Sequence, residues 1–280
     1  MHFNPHFTTV QVIWTLTIAA LLVLLVVLLG RERMHRYPWF TTSIVLMSLR
    51  LLASRELYGR MAPLTLSAIF IALGDLGAVV GLLVLVEMAR RAFAGAQRSL
   101  WIVNAVGMVV VAGGILAAWG PWPAWKTLTA DSHLTALRLM QLFAARAETL
   151  VELLTVGLCL VVVLFGRRYQ AGWRSHTQQI VIGLSTAALA QLTVQTLLQR
   201  IAQTATPHSQ AEYERIVGFQ EKAINASSGV FVAVLVWWIV CLWIDEPGTP
   251  KVAEGGAGEA AEAAAETDAD SQDAGGKKTE

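Results

Sequence analysis

Seven long apolar stretches constrain the fold of this chain more than any other feature. They lie near residues 8–30, 38–58, 64–89, 99–119, 137–166, 176–200 and 222–244. A helix of about 20 mostly apolar residues crosses the roughly 30 Å hydrocarbon core of a bilayer. Backbone polar groups that face lipid must be hydrogen-bonded within their own segment, so each stretch is predicted to be an α-helix. The sequence therefore predicts an all-α polytopic membrane protein, with a domain of seven transmembrane helices over residues 1–245.

The composition supports the same class of protein. Hydrophobic residues make up 55% of the chain and charged residues 15%, with a mean hydropathy of +0.54, whereas soluble domains are about 25% charged. The seven stretches occupy most of the first 244 residues and leave no room for a separate folded domain. An ordinary cytosolic enzyme is therefore not expected.

Arginines in the short loops predict the orientation. Nine of them follow the first, third and fifth spans: Arg31, Arg33, Arg36, Arg90, Arg91, Arg98, Arg167, Arg168 and Arg174. The loops on the other side carry six Lys and Arg residues over longer or more acidic segments. Because cytoplasmic loops are enriched in Lys and Arg, we expect the N-terminus outside and the C-terminus in the cytoplasm. The predicted location is a bacterial inner membrane, which the chain crosses several times.

Residues 246–280 form a segment of different character. They are rich in Ala, Gly, Glu and Asp, and 10 of the 20 acidic residues of the chain lie from Asp245 onward. Such a segment has too little apolar surface to offset the entropy of ordering, so it is predicted to be a disordered acidic tail. It is interpreted as a solvated extension, or alternatively as a contact for a basic partner.

Ionisable and amide side chains within the spans are the candidates for function. A charge inside a bilayer costs several kcal/mol and normally faces protein or water. Eight such residues concentrate toward the outer half of the predicted bundle: Arg50, Asp75, Arg146, Glu148, Glu152, Gln191, Gln195 and Asn225. Glu148 and Glu152 are one turn apart and share a helix face. The sequence predicts an outward-facing polar cavity in which these eight residues bind a ligand.

Two other interpretations of the same residues remain open. Glu148 and Glu152 could pair with Arg50, Arg138 or Arg146 as internal struts, since structural ion pairs also gather charges in one place. A proton relay through Asp75 and Glu152 is the other interpretation.

The chain has few of the residues that cofactors and catalysis demand. None of its six His lies in mid-span, which argues against haem, and no three-ligand metal set is evident. No phosphate loop, dinucleotide motif or nucleic-acid-binding patch occurs, so neither a cofactor, a catalytic residue nor a nucleic-acid partner is assigned. Cys159 and Cys241 lie within spans and are interpreted as small apolar residues. Gly77 and Gly81 form a GxxxG pair, which is typical of close packing inside a helix bundle.

The pattern over about residues 8–244 resembles two groups of bacterial membrane proteins. These are the seven-helix sensor modules found ahead of histidine kinases, and free-standing seven-span membrane proteins. The resemblance rests on the span number, the N-out direction and the basic-aromatic openings Arg36-Tyr37-Pro38-Trp39-Phe40 and Gly172-Trp173-Arg174-Ser175-His176. It implies a ligand pocket coupled to a cytoplasmic output, and here only the acidic tail follows. A separate cytoplasmic signalling partner would have to supply that output.

Three hypotheses of different classes follow. The first is a sensor or accessory module of the membrane with an outward-facing pocket. The second is a transporter of a small solute, with or without proton coupling, for which the inverted repeat common in transporters is not evident in the sequence. The third is a membrane enzyme acting on lipid, for which a nucleophile and base in one plane are missing. The partners expected are the lipid bilayer and a cytoplasmic protein, and the oligomeric state is left open.

Overall fold

Residues 8–57, 60–93, 98–118, 133–165, 176–204 and 209–244 are described by the computed structural model of the protein. They form eight helices and no strand: α1 Thr9–Gly30, α2 Arg33–Arg36, α3 Pro38–Leu57, α4 Pro63–Ala92, α5 Arg98–Ala118, α6 His133–Phe165, α7 His176–Thr204 and α8 Gln210–Trp243. The fold class is thus all-α. The chain divides into a unit of residues 1–244 and a second unit of residues 245–280. The predicted acidic tail lies outside the described residues.

Five of the described helices are long and apolar enough to cross a membrane. They are α1, α4, residues Leu139–Leu164 of α6, α7 and α8. Helix α3 has 20 residues but contains several Thr, Ser and Arg, which lower its mean hydropathy. Helix α5 has 21 residues, of which Ala105–Ala118 form a shorter apolar segment. These five candidate spans support the prediction of a membrane protein, and the predicted number of seven remains a prediction.

The helix ends follow from local sequence signals. At the start of α1, Thr8 and Gln11 form a capping box, with the Gln11 backbone N–H donating to Thr8 Oγ1 over 3.4 Å. Helix α4 begins with Pro63, whose missing N–H costs nothing at the first helical position. At the start of α8, the Ser209 hydroxyl accepts from the Glu212 backbone N–H over 3.2 Å. Helix α8 therefore begins 12 residues before the predicted apolar span.

Six helices form a closed ring. Around it, α1 contacts α3, α3 contacts α4, α4 contacts α6, α6 contacts α7, α7 contacts α8, and α8 contacts α1. Helix α5 packs against α6 on the outside of the ring. Helices α4 and α7 also contact each other across it. The ring therefore encloses an interior to which α5 does not contribute.

The two ends of the bundle are defined by contacts between helices. At the end where α8 terminates, the Ile244 carbonyl accepts from Arg33 Nη2 over 3.1 Å and from the His176 ring Nε2 over 2.9 Å. We call this the tail end, because residue 245 follows. At the other end, the Arg55 guanidinium lies 4.6 Å from the ring centroid of Trp14. We call that the opposite end.

The well-packed core lies toward the tail end. Fully buried side chains there include Leu28 of α1, Met88 of α4, Ile180 of α7 and Leu242 of α8. In lipid the association of helices depends on such van der Waals packing, because lipid tails are as apolar as the side chains themselves. Toward the opposite end, α1 and α8 carry mostly exposed or half-buried residues. The bundle is thus packed tightly at one end and more openly at the other.

Glu87 joins α4 to the start of α3. Its Oε2 accepts from the backbone N–H of Phe40 over 3.1 Å, and its Oε1 lies 3.5 Å from Arg91 Nη2. Phe40 belongs to the first turn of α3, where backbone N–H groups have no partner within their own helix. Glu87 therefore acts as an N-terminal cap supplied by a neighbouring helix.

Candidate functional site

A cavity of about 550 Å³ lies inside the ring, and all six ring helices contribute to its lining. Its lining includes Phe40 and Trp238, whose rings meet edge to face with centroids 5.1 Å apart. Both rings are buried, at 0% and 2% exposure. They lie at the end of the cavity nearest the tail end, which we call the floor. Cavities of this size typically hold small-molecule ligands.

The glycines of α4 provide much of the room. Gly74, Gly77 and Gly81 all line the cavity. A Cβ added at Gly74 or Gly77 would meet no atom within 4 Å, whereas one at Gly81 would lie 3.0 Å from Val151 Cγ1 of α6. The close approach of α4 to α6 at Gly81 is the internal packing that the GxxxG pair indicates. Gly77 instead leaves open space in the wall.

The cavity brings together five of the eight predicted residues. They come from four different helices: Arg50 of α3, Glu148 and Glu152 of α6, Gln191 of α7 and Asn225 of α8. Of the other three, Gln195 does not line the cavity but its Nε2 donates to Glu152 Oε1 over 3.5 Å. Asp75 and Arg146 are half-buried and do not line it. Both lie on faces of their helices that are turned away from the cavity lining.

The charged groups of the lining have no counterions within the described part of the chain. Arg50, Glu148 and Glu152 each lack an opposite charge within 4.0 Å. Glu152 Oε2 is buried and has no hydrogen-bond partner among the described residues. A strut between the two carboxylates and Arg50 is therefore not formed, and the side chain of Arg138 lies outside the described residues. Arg50 and Glu148 are exposed and Glu152 is half-buried, so all three side chains are accessible from the cavity. Ionisable groups that line a cavity in a helix bundle often mark a binding site.

Polar side chains of α7 and α8 form one wall. The Ser227 hydroxyl donates to Gln191 Oε1 over 3.3 Å and so links the two helices. Asn225 and Ser228 line the cavity beside them. The Gln191 side chain is thereby oriented by α8. The wall offers hydroxyl and amide groups that can both donate and accept.

Trp14 of α1 is a lining residue that the sequence analysis missed. The Arg55 guanidinium lies over its ring, 4.6 Å from the ring centroid, which is a cation–π distance. The signal was present, since Trp14 is the single aromatic residue of α1 and Arg55 lies near the end of the neighbouring α3. Thr17 also lines the cavity, but its hydroxyl is engaged with the Ile13 carbonyl at 2.7 Å.

Within the described ranges, no group of three or more His, Cys, Asp or Glu residues could hold a metal ion. Cys159 and Cys241 are free thiols. The ring of His176 is engaged with the carbonyl of Ile244 at the tail end and not with the cavity.

The chain matches no protein-family model, no curated protein and no solved structure. Inference about its function therefore rests on the cavity and its lining.

Proposed function

We propose that the protein is a ligand-binding sensor or accessory module of a bacterial inner membrane. In this proposal α3 and α5 complete seven spans, the N-terminus is outside, and residues 246–280 are a cytoplasmic tail. The observation that supports ligand binding is the cavity of about 550 Å³, whose charged lining residues Arg50, Glu148 and Glu152 have no counterion among the described residues.

The orientation is tested with reporters fused to the full chain. A reporter after Glu280 should be active only in the cytoplasm, and one inserted near Thr129 only outside. A cysteine at Ala130 in a variant without Cys159 and Cys241 should react only with a thiol reagent added outside. Labelling of that cysteine from the cytoplasmic side contradicts the orientation.

Ligand access is tested by chemical labelling of the cavity. In the cysteine-free background, Asn225→Cys should react with a membrane-impermeant maleimide added on the side opposite the tail. Gly77→Leu should slow this reaction at least tenfold, because its side chain extends into the open space beside Gly77. Glu221→Cys, exposed on the same helix, is the matched control and should react equally with and without Gly77→Leu. An unreactive Asn225→Cys, or one that Gly77→Leu does not slow, contradicts the proposal.

A signalling role further requires a partner at the tail end. The full-length protein should retain a cytoplasmic protein that is lost when the chain is truncated after Asp245. A control in which a Gly/Ser linker of equal length replaces the tail separates sequence from length. If the same proteins are recovered with and without the tail, the sensor hypothesis is wrong.

A small-solute transporter is the second candidate, favoured by the charged residues that the cavity holds within the spans. Alternating access would expose Asn225→Cys to impermeant reagent from either side of the membrane in turn. A sensor exposes it from one side only. The buried pair of Phe40 and Trp238 at the cavity floor favours the sensor, because a solute would have to pass this pair to reach the tail end.

A further inference from the structure

We infer that the ligand of the cavity is a zwitterion, a molecule that carries one ammonium group and one carboxylate or phosphate. Glu148 and Glu152 would bind the ammonium, and Arg50 would bind the anionic group. This inference rests on the proposed function, since it assumes that the cavity is a binding site.

The two carboxylates provide the cation site. Glu152 Oε1 accepts from Gln195 Nε2 at 3.5 Å, while Glu152 Oε2 is buried and has no partner in the described ranges. Glu148 lies one turn away on the same helix and also lines the cavity. Glu152 is half-buried and Glu148 is exposed; two carboxylates one turn apart repel, and a cation between them removes this repulsion. An ammonium group supplies three N–H donors for several such acceptors.

Arg50 provides the anion site. Its guanidinium belongs to α3, a different helix from the carboxylates, and has no acid within 4.0 Å among the described residues. Guanidinium binds carboxylate and phosphate through two parallel N–H donors.

Opposite charges on separate helices determine the ligand class. A simple cation would leave Arg50 without a counterion and add a second positive charge to the cavity. A simple anion would leave both glutamates without one. A ligand with both signs satisfies all three groups, which fixes its orientation across the cavity.

The remainder of the lining is largely apolar. Ile13 and Trp14 of α1, Val84 of α4 and Phe231 of α8 contribute to it. The ligand should therefore carry an apolar flank. The same chemistry occurs in a zwitterionic phospholipid headgroup and in a free amino acid with an aliphatic side chain.

The experiment compares zwitterions with analogues of single charge. Full-length protein in detergent is titrated with phosphatidylethanolamine against phosphatidylglycerol and diacylglycerol, and separately with leucine against isoamylamine and 4-methylpentanoate. Binding is followed by native mass spectrometry and thermal stability. We expect at least tenfold tighter binding of one zwitterion than of its single-charge analogues, and the pair that responds identifies a lipid or a soluble source.

Variants assign the two charges. Wild-type protein should bind the responding zwitterion more tightly than its cationic or uncharged-head analogue. Arg50→Gln should reduce this ratio of affinities at least tenfold. Glu148→Gln with Glu152→Gln should do the same for the preference over the anionic analogue. Arg215→Gln and Glu221→Gln are matched controls on the exposed part of α8 and should change neither preference.

Two outcomes overturn the inference. One is that wild-type protein binds single-charge analogues as tightly as the zwitterions, and the other is that it binds neither zwitterion. Both are measured on wild-type protein and so do not depend on folding of a variant. If the labelling of Asn225→Cys still responds to Gly77→Leu, the cavity stands as a site and only the ligand class fails.

Discussion

Gly183 of α7 lies directly against the indole of Trp238 in α8, so Gly183→Ala measures how rigid the cavity floor is. A Cβ at this position would contact Trp238 Nε1 and would lie 2.7 Å from Cε2 and 3.0 Å from Cζ2. The indole has little freedom to move, because it is 2% exposed and meets the ring of Phe40 edge to face. The added methyl group therefore forces a shift of α7, α8 or both.

The size of the effect follows from two opposing contributions. Overpacking of a well-packed core costs about 1–3 kcal/mol, and Gly→Ala in a helix interior gains about 1 kcal/mol. Gly77→Ala has the gain in helix propensity without the overpacking cost, since its Cβ would meet no atom within 4 Å. The difference in unfolding free energy between the two variants is therefore the overpacking cost. At about 2 kcal/mol it corresponds to about 4–8 °C in melting temperature for a protein of this size.

The assay is thermal melting of both variants in one detergent. We expect Gly183→Ala to melt below wild type and Gly77→Ala at or above it. Trp238→Phe offers a further check, because the indole N–H has no hydrogen-bond partner in the described part of the chain. Adding Trp238→Phe should cost less in the Gly183→Ala background than in wild type. Equal melting of Gly183→Ala and Gly77→Ala would refute the close contact between α7 and α8.

The remaining predictions concern caps and charges. Glu87→Ala should lower the unfolding free energy by about 1–3 kcal/mol in thermal melts, because it leaves the Phe40 N–H buried without an acceptor. Glu87→Gln keeps an acceptor oxygen and is the control. An equal loss of stability for both variants would contradict the cap. Ser209→Ala should cost about 1 kcal/mol and speed hydrogen exchange in the first turn of α8, and unchanged exchange there would count against it. Glu148→Gln combined with Glu152→Gln should leave the melting temperature unchanged or raise it, since among the described residues no cation lies within 4.0 Å of either carboxylate. A large drop for this double variant would restore the strut interpretation.

The apolar pattern predicted the bounds of a helix well where the apolar stretch is as long as the helix itself. Helix α1 covers residues 9–30 against a predicted 8–30, and α3 covers 38–57 against 38–58, with Pro38 marking its start. The start of α8 was placed at 222, and the structure has it at Gln210. Hydropathy indicates only the apolar part of a helix. Helix α8 extends beyond that part, through polar residues, to its cap at Ser209.

Periodicity along one helix predicted part of the candidate site. It placed Glu148 and Glu152 on one face, and both line the cavity. It also places Arg146 about 200° around α6 from Glu148, and Arg146 does not line the cavity. It did not reveal that Asp75 lies off the cavity or that Gln195 contacts Glu152. Those facts depend on how each helix is rotated about its axis within the ring. That rotation is set by contacts between helices, such as Gly81 with Val151, which no single helix encodes.

Helix α8 is a single continuous helix that contains no proline, and this gives it a mechanical property. It carries Asn225 at the cavity wall and Trp238 at the floor, and it ends at Trp243, directly before Ile244, whose carbonyl is held by Arg33 and His176. At 1.5 Å per residue, Asn225 and Ile244 are about 28 Å apart along one stiff rod. Any displacement of α8 along or about its axis at Asn225 would therefore also move the Ile244 carbonyl relative to Arg33 and His176.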